Sequence, residues 1–501
     1  MSSSGCLMVV GATSGAGKST VSAGLCRWLC RNGHRVAPFK AQNMSNHAAV
    51  TADGGEIGRA QAMQAAAAGI DFERRMNPIL LKPTSGNSSH IVVLGEERDL
   101  TTATGYGPTA EALKPVVFDA LASLRRDFDW VVAEGAGGAA EINLLDRDLV
   151  NLPLAYAAGI PAILVVDIER GGAFASAFGT IEILPQHLKK AVAGIVFNQF
   201  RGDPALLERG IAALEQRTGV PILGVLPYLE DGPLLGVEDS LDLWDRAPRP
   251  TRSPRPVRVV AIRLPHIGNP SDLDPFLIED DVTFSWATTP DHLESADLVV
   301  IPGSRATVAD LDWMRTQGLD RTIVEIAASS GVTLVGICAG YQMLGTRIDD
   351  TVESKRGTVP GLGLLPSTTT FMHPKIVRRS AGTAGGIPVA GYQMRFGRPE
   401  STGDAWLMLD GEPEGAISGS GSVLGTSLHG IFDNDALRTA VLTEVAAARD
   451  REYSASERTF AQAVEVQHER LADWLEESLD LAAICQIGAT ATPPANAPGW
   501  Y

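Results

Sequence analysis

The sequence predicts an α/β protein with two doubly wound, mostly parallel sheet domains and a C-terminal helical tail. Short apolar runs rich in β-branched residues alternate with longer amphipathic or alanine-rich segments in both halves of the chain. Such alternation is typical of a parallel sheet that is covered by helices on both faces. Between the halves, residues 246–256 combine several prolines and arginines. That composition favours neither helix nor strand and predicts a linker.

The predicted elements divide the chain around this linker. In the first half the expected strands are Leu7–Ala12, Trp130–Glu134, Ala162–Asp167, Gly194–Asn198 and Ile222–Leu226. In the second half they are Val257–Leu264, Leu298–Pro302, Thr333–Ile337 and Val423–Leu428. Helices are expected from Ser19 to Arg31, over Ile57–Ala68 and in a tail over Asp435–Leu481. We therefore predict domains at residues 1–245 and 257–450, a helical extension at 451–485 and a disordered tail at 486–501.

Composition limits the classes of function. The chain of 501 residues carries 59 acidic and 42 basic side chains, and its formal net charge is −17. An acidic surface repels nucleic acids and anionic membranes, so neither is expected as a partner. The five cysteines show no Cys-x-x-Cys spacing, which favours a reducing compartment over a disulfide framework. Because the sequence shows no signal peptide and no apolar run of membrane-spanning length, we expect a cytoplasmic protein.

A glycine-rich segment after the first predicted strand has the pattern of a phosphate-binding loop. Glycines let backbone N–H groups turn toward phosphate oxygens, and the N-terminus of the following helix adds partial positive charge. Lys18 is then expected on the β- and γ-phosphates of ATP, and the Ser19 hydroxyl on Mg²⁺. The strict motif requires glycine where Ala12 stands. The expected ATP-binding residues are Gly11, Thr13, Ser14, Gly15, Gly17, Lys18, Ser19 and Thr20.

Two carboxylates are candidates for completing a Mg²⁺ site with Ser19. Glu134 ends an apolar strand, and ligands of parallel sheets bind at the carboxyl ends of strands. Asp53 lies in the glycine-rich segment TADGGE. Each also has a plainer interpretation, Glu134 as a solvated strand end and Asp53 as a turn or capping residue.

Cys338 follows an apolar strand and stands at a sharp turn before a helix. This strand–nucleophile–helix elbow exposes a thiol near the positive end of the helix, which favours the reactive thiolate. His429 follows another apolar strand and is the expected base. Gly303 and Ser304 follow a third strand, and their N–H groups are expected to stabilise an oxyanion. The alternatives are an inert core cysteine, a capping histidine and a simple turn.

The motifs are also similar to those of known families. The second half resembles class I glutamine amidotransferase domains, with Cys338 as nucleophile and His429 as its partner. Gly430 and Ile431 stand where most such domains have Pro-Glu. The P-loop spacing resembles the dethiobiotin-synthetase-like branch. From about residue 7 to 480 the chain resembles the cobyric acid synthase family of cobyrinate-type amidotransferases, in the strings KAQNM, TADGGEIGRAQ, MNPILLKP, EGAG, EINL, DIERGG and NQFRGD.

This resemblance implies an ATP- and glutamine-dependent ligase. Its expected substrate is adenosylcobyrinic acid a,c-diamide, amidated at carboxylates b, d, e and g through acyl phosphates, with ammonia from glutamine. The implied ligands are therefore glutamine, corrinoid carboxylates, ATP and Mg²⁺. We expect Lys40, Arg59 and Lys82 near the corrin acids. One segment departs from the family pattern G-Y-E-I-H-x-G, since Gln393 and Arg395 replace its Glu and His.

Two alternatives remain at this point. One is a partitioning-type P-loop ATPase switch with an inactive glutaminase domain, although Thr13 stands where such switches carry a lysine. The other is a different glutamine-dependent synthetase, such as cobyrinic acid a,c-diamide synthase. The intact Cys338 and His429 weigh against the first alternative, and the QNM and DGGEIGRAQ strings weigh against the second.

Overall fold

The computed structural model describes residues 4–83, 88–102, 106–229, 251–328 and 331–492. It shows two sheet-based domains followed by C-terminal helices, so the predicted fold class is confirmed. Residues 246–250 of the predicted linker lie outside the described ranges. Within those ranges, no helix is both long enough and apolar enough to cross a membrane.

The first domain is built on a parallel sheet. Its strands are β1 (Gly5–Gly11), β2 (Val36–Phe39), β3 (Gln42–Met44), β4 (Ala48–Val50), β5 (Glu56–Gly58), β6 (Ile79–Pro83), β7 (Ser88–Val93), β8 (Glu96–Thr102), β9 (Trp130–Glu134), β10 (Ala162–Asp167), β11 (Val192–Phe200) and β12 (Ile222–Pro227). Its helices are α1 (Lys18–Arg31), α2 (Arg59–Ala67), α3 (Tyr106–Asp127), α4 (Leu152–Ala157), α5 (Ala173–Ile183), α6 (Gln186–Lys189) and α7 (Glu208–Thr218). The parallel sheet has the order β12-β11-β10-β1-β9-β2, and its central strands are apolar because both faces are buried.

Two smaller sheets follow β2 in the chain. Strands β3, β6, β7 and β8 form one of them, and β4 pairs with β5 in an antiparallel hairpin. The sequence patterns did not predict these short strands, although the strings KAQNM and TADGGEIGRAQ lie in and around them. Because α2 begins at Arg59, directly after β5 ends at Gly58, the hairpin fixes where α2 starts.

The second domain also contains a mostly parallel sheet. Its strands are β13 (Val257–Ile262), β14 (Val282–Ala287), β15 (Leu298–Ile301), β16 (Thr333–Ile337), β17 (Arg347–Asp350), β18 (Gly357–Pro360), β19 (Ser367–Ala384), β20 (Ile387–Ser401), β21 (Leu407–Leu409), β22 (Glu412–Glu414), β23 (Ala416–Ile417) and β24 (Val423–Thr426). Its helices are α8 (Thr307–Gln317), α9 (Leu319–Ala328), α10 (Ala339–Leu344) and α11 (Asp435–Ala448). The sheet order β14-β13-β15-β16-β24-β23 makes β16 and β24 parallel neighbours. Residues that follow these two strands therefore meet at one sheet edge.

A long antiparallel hairpin, β19–β20, extends from the second domain to the first. The Arg379 Nε donates to the Val50 carbonyl oxygen at 2.9 Å, and its guanidinium pairs with Asp71. Lys375 pairs with Glu56, a buried residue of β5. The sequence pattern did not predict this hairpin, which joins the two domains through these contacts.

The C-terminal helices α12 (Phe460–Ser478) and α13 (Leu481–Ala489) pack on the first domain. Leu471 and Leu475 join the core beneath α1, and Arg31 pairs with Asp473. The expected helical tail over Asp435–Leu481 consists of three helices, α11, α12 and α13. The last helix extends beyond the predicted limit at residue 485, because Ile484 and Gly488 pack against the core around Trp130. Of the predicted disordered tail, residues 493–501 lie outside the described ranges.

Candidate active sites

Cys338 stands at the turn between β16 and α10, in the conformation φ 52°, ψ −105°. Non-glycine residues rarely adopt such positive φ, so the surrounding structure must enforce it. The Cys338 N–H donates to the Thr426 carbonyl oxygen at 2.7 Å. At Gly340 a Cβ would lie 1.9 Å from the Ile301 carbonyl oxygen, so only glycine permits this close approach. The thiol is buried, and its Sγ lies 3.8 Å from the Met394 carbonyl oxygen.

His429 is buried beside this thiol and is held by a carboxylate. Its Nδ1 lies 2.7 Å from Oδ2 of Asp272, and the other carboxylate oxygen of Asp272 accepts from the Gly430 N–H at 2.9 Å. The ring of Tyr392 stacks on the imidazole, with centroids 5.1 Å apart. These contacts fix the ring plane and give Nδ1 a carboxylate partner, as in nucleophile–histidine–carboxylate triads.

The electrostatics of the pair favour a charged imidazole. Burial by itself would lower the pKa of His429, but the carboxylate of Asp272 and the side chain of Cys338 outweigh it and raise the pKa to about 10. A protonated imidazole next to a cysteine stabilises the nucleophilic thiolate. The arrangement can therefore attack a carboxamide carbon.

Sequence reasoning missed Asp272. It lies 157 residues before His429, in a 3-10 segment over Pro270–Ile278, and nothing in its local sequence distinguishes it from other aspartates. The usual position for a third triad member is just after the histidine, and this chain has Gly430 and Ile431 there. The structure instead supplies a carboxylate from a distant segment.

The predicted oxyanion residues lie next to the thiol. A Cβ at Gly303 would be 2.9 Å from Cε1 of His429 and 3.7 Å from the Cys338 Cβ, so the backbone lies directly against the pair. The Ser304 hydroxyl donates to Asp310 at 2.6 Å, which braces the loop from the other side. Backbone N–H groups are the usual donors in an oxyanion hole, and this role for Gly303 and Ser304 stays a prediction.

The phosphate-binding loop connects β1 to α1. Gly17 has φ 91°, and a Cβ there would lie 2.1 Å from the Asn198 Nδ2, so both backbone and space require glycine. The same Asn198 amide donates to the Ala16 carbonyl oxygen at 2.9 Å. Lys18 Nζ donates to the Gly137 carbonyl oxygen at 3.0 Å, which ties the loop to the segment after β9.

Glu134 is the centre of a buried polar cluster beside this loop. Its Oε1 accepts from the Ser19 hydroxyl and from Lys40 Nζ, each at 2.8 Å, and its Oε2 accepts from the Gln64 amide. Burial alone would raise the pKa of Glu134, but Lys40 and the hydrogen bonds outweigh it and hold the pKa below the ordinary value. An ionised carboxylate next to a P-loop hydroxyl is a donor set suited to Mg²⁺, which prefers oxygen ligands.

The structure does not bring Asp53 into this cluster. Asp53 lies in the turn between β4 and β5, is largely exposed, and pairs with Arg74 Nε at 2.8 Å. It also accepts from the Thr51 hydroxyl. These contacts match the plainer interpretation, a turn residue, and they favour Ser19 and Glu134 as the candidate Mg²⁺ ligands.

The expected corrin contacts all have carboxylate neighbours within the protein. Lys40 pairs with Glu134, and the buried Lys82 pairs with Glu56. Arg59, the first residue of α2, interacts electrostatically with aspartates of the second domain. These neighbours weigh against all three residues as primary binding groups for the corrin acids.

The departure from the family pattern is accommodated within β19–β20. Arg395 donates through Nε and Nη2 to the Gln393 Oε1, at 3.2 and 2.8 Å. The Gln393 amide in turn donates to the Ser380 hydroxyl at 3.1 Å. The two replaced residues therefore satisfy each other, and both polar groups stay paired in a largely buried place.

Comparison with known proteins agrees with this division. A family model described as CobQ/CobB/MinD/ParA nucleotide binding domain matches residues 7–237. A second, described as CobB/CobQ-like glutamine amidotransferase domain, matches residues 258–437. A P-loop domain joined to a cysteine–histidine glutaminase domain defines the class of ATP-dependent glutamine amidotransferases.

Curated relatives narrow the class. The chain is 47% identical to a cobyric acid synthase of Saccharopolyspora erythraea, over 98% of this chain and 97% of that protein. It is 46% identical to the cobyric acid synthase of Frankia casuarinae, over 98% of each chain. A third, from Rhodococcus jostii, is 46% identical over 98% of this chain and 96% of its own length. The chain belongs to the cobyric acid synthase family.

Proposed function

We propose that this protein amidates carboxylates b, d, e and g of adenosylcobyrinic acid a,c-diamide, with ATP as energy source and glutamine as nitrogen donor. The identity to cobyric acid synthases over nearly the whole chain is the observation that carries the choice of substrate. It favours this reaction over a partitioning switch and over a different synthetase. The two buried clusters around Cys338 and Glu134 supply the chemistry.

The second domain releases ammonia. The Cys338 thiolate attacks the carboxamide carbon of glutamine, and the protonated His429 gives its proton to the departing nitrogen. A γ-glutamyl thioester and ammonia result. Water then hydrolyses the thioester, with His429 as base, and glutamate leaves while the thiol is restored. Asp272 keeps the imidazole oriented through both steps.

The first domain activates the corrin carboxylate. A carboxylate resists attack by ammonia, and its oxygen is a poor leaving group. Transfer of the γ-phosphoryl group of ATP gives an acyl phosphate and ADP, and ammonia then displaces phosphate to form the amide. Lys18 and the loop N–H groups hold the transferred phosphate. Mg²⁺, held by Ser19 and Glu134, would neutralise phosphate charge during the transfer.

Ammonia would leave the Cys338 site close to the contact between the two domains. Met394 bridges the two sides: its carbonyl oxygen faces the Cys338 thiol, and its sulfur accepts from Lys82 Nζ at 3.3 Å. Since protonation in water would make ammonia unreactive at neutral pH, a closed passage between the sites is required. The buried interface around Met394 is suited to that passage.

A single assay tests the proposal. The protein is incubated with ATP, Mg²⁺ and cobyrinic acid a,c-diamide, with either glutamine or ammonium chloride, and successive amidations are read by mass spectrometry. Cys338→Ser should lose amidation with glutamine and keep it with ammonia. Cys485→Ser, a partly buried thiol in α13, is the matched control and should keep both. ATP hydrolysis without any change in the corrin would overturn the proposal in favour of a nucleotide switch.

A further inference from the structure

The hairpin β4–β5 of the first domain lies against the glutaminase site of the second. The Ala48 N–H donates to the Asn269 Oδ1 at 3.2 Å, three residues before Asp272. The Tyr392 hydroxyl, on the ring that stacks over His429, donates to the Ala48 carbonyl oxygen at 3.5 Å. The backbone of one domain thus touches the segments that hold the catalytic histidine of the other.

The second domain has a cluster of three aspartates near His429. Asp272 and Asp274 are both buried, and Asp433 has a buried carboxylate oxygen with no hydrogen-bond partner in the described part of the chain. Burial, together with the neighbouring aspartates, raises the pKa of Asp433 to about 7, against the opposing effect of Arg59. Three carboxylates in so small a buried volume repel one another.

Arg59 is the cation that the first domain contributes to this cluster. It follows Gly58, the residue paired with Ala48 across the hairpin, and it lies within electrostatic range of Tyr392 and of the carboxylates of Asp433, Asp274 and Asp272. Arg438 also lies near Asp433, but its guanidinium is bonded to other carboxylates, Glu279 at 2.7 Å and Asp435 at 2.7 Å.

Two hydrogen bonds fix the position of α2, the helix that begins with Arg59. The backbone N–H of Arg59 donates to the His47 carbonyl oxygen at 3.1 Å, which joins α2 to the β4–β5 hairpin. Further along the same helix, Gln64 donates to the carboxylate of Glu134 in the nucleotide site. One short helix therefore contacts the nucleotide site directly and is bonded to the hairpin that lies against the glutaminase site.

We propose that Arg59 is a positioning residue for glutamine hydrolysis, supplied in trans by the ATP-binding domain to the triad of the other domain. Its charge offsets the repulsion among the aspartates, so the Asp272 carboxylate keeps its place beside the imidazole. Without that charge, the cluster relieves its repulsion by taking up a proton or by moving Asp272 away from His429. The inference rests on the proposed roles of Cys338 and His429.

The test compares Arg59→Gln and Arg59→Lys with the parent protein. Glutamate release from glutamine should fall in kcat by about tenfold or more in Arg59→Gln, a size typical of coupling between sites, with little change in KM. Amidation driven by ammonium chloride should stay within about twofold, which also shows that the variant folds. Arg59→Lys keeps the charge and should recover part of the loss.

Arg379→Gln is the matched control for docking, because it removes a different interdomain ion pair, the one with Asp71, and leaves Arg59 in place. An equal loss of glutaminase activity in Arg379→Gln would mean that docking alone matters, and the assignment of Arg59 would be wrong. An equal loss of ammonia-driven amidation in Arg59→Gln would place Arg59 in the corrin or nucleotide site instead. If Cys338→Ser retained glutamine use, the triad itself would be wrong, which is a separate outcome.

Discussion

Replacing Asp272 by asparagine tests the carboxylate that the structure adds to the cysteine–histidine pair. Asparagine has nearly the same shape, so the buried space stays filled and the Gly430 N–H keeps an acceptor. What disappears is the negative charge 2.7 Å from Nδ1 of His429. The imidazole then loses both its charge partner and the hydrogen bond that fixes its tautomer.

The size of the effect follows from the electrostatics of the histidine. Burial opposes a charged ring, yet Asp272 and then Cys338 raise the pKa of His429 from 6.5 to about 10. A rise of this size corresponds to about 4 to 5 kcal/mol in favour of the imidazolium. Asp272 is the larger of the two raising causes, so we expect its loss to slow thioester formation by roughly 30- to 150-fold, which corresponds to about 2 to 3 kcal/mol.

The assay is glutamate release from glutamine, measured beside ammonia-driven amidation in the same preparation. Asp272→Asn should lower the first by the stated factor and leave the second within about twofold. Asp280→Asn, at a surface pair with Arg252, is the control for a general effect of losing an aspartate. A glutaminase rate for Asp272→Asn within about threefold of the parent would refute the triad reasoning.

Three further outcomes are expected. Lys18→Ala removes the cation that contacts the phosphates of ATP, so it should abolish amidation with either nitrogen source, measured as ADP release. Basal glutaminase activity should persist. Glu56→Gln removes the carboxylate that the buried Lys82 and Lys375 share, and should lower the free energy of unfolding in urea by about 3 to 5 kcal/mol. A loss below about 1 kcal/mol would contradict a buried ion cluster. Because the pKa of His429 is raised, its stabilisation is present below pH 6.5 and is lost as pH rises toward about 10. Between pH 7 and 10 the melting temperature should therefore fall less steeply with pH for His429→Gln than for the parent protein. Equal slopes would count against the charged imidazole.

Local chemistry explains which features the sequence could predict. The P-loop needs glycine at a left-handed position before a helix, and Gly17 occupies it with φ 91°. The elbow needs a buried strand, a nucleophile and a helix in immediate succession, which Cys338 and its neighbours provide. His429 was predictable for a related reason, since residues that follow adjacent parallel strands meet at the same sheet edge.

Long-range contacts explain what it could not predict. Asp272 reaches His429 across 157 residues, and no short spacing records that pairing. The hairpin β19–β20 packs on another domain as well as its own, so its strands lack the simple alternation of a sheet with one buried face. The surroundings of Arg59 were not predictable either, because a basic residue in a motif does not reveal its partners, and the aspartates that interact with it electrostatically come from the other half of the chain.

The packing of the C-terminal helices on the first domain has a consequence for how the chain folds during synthesis. Leu7 and Leu25 belong to a core that is completed by Leu471 and Ile484, near the opposite end of the chain. During synthesis, the ATP-binding half emerges first with this apolar face uncovered, and the face is covered only after residues 460–489 have left the ribosome. A truncation after the first domain would therefore yield an aggregation-prone fragment with an exposed apolar surface. Preparing the first domain separately requires that residues 460–489 be supplied with it.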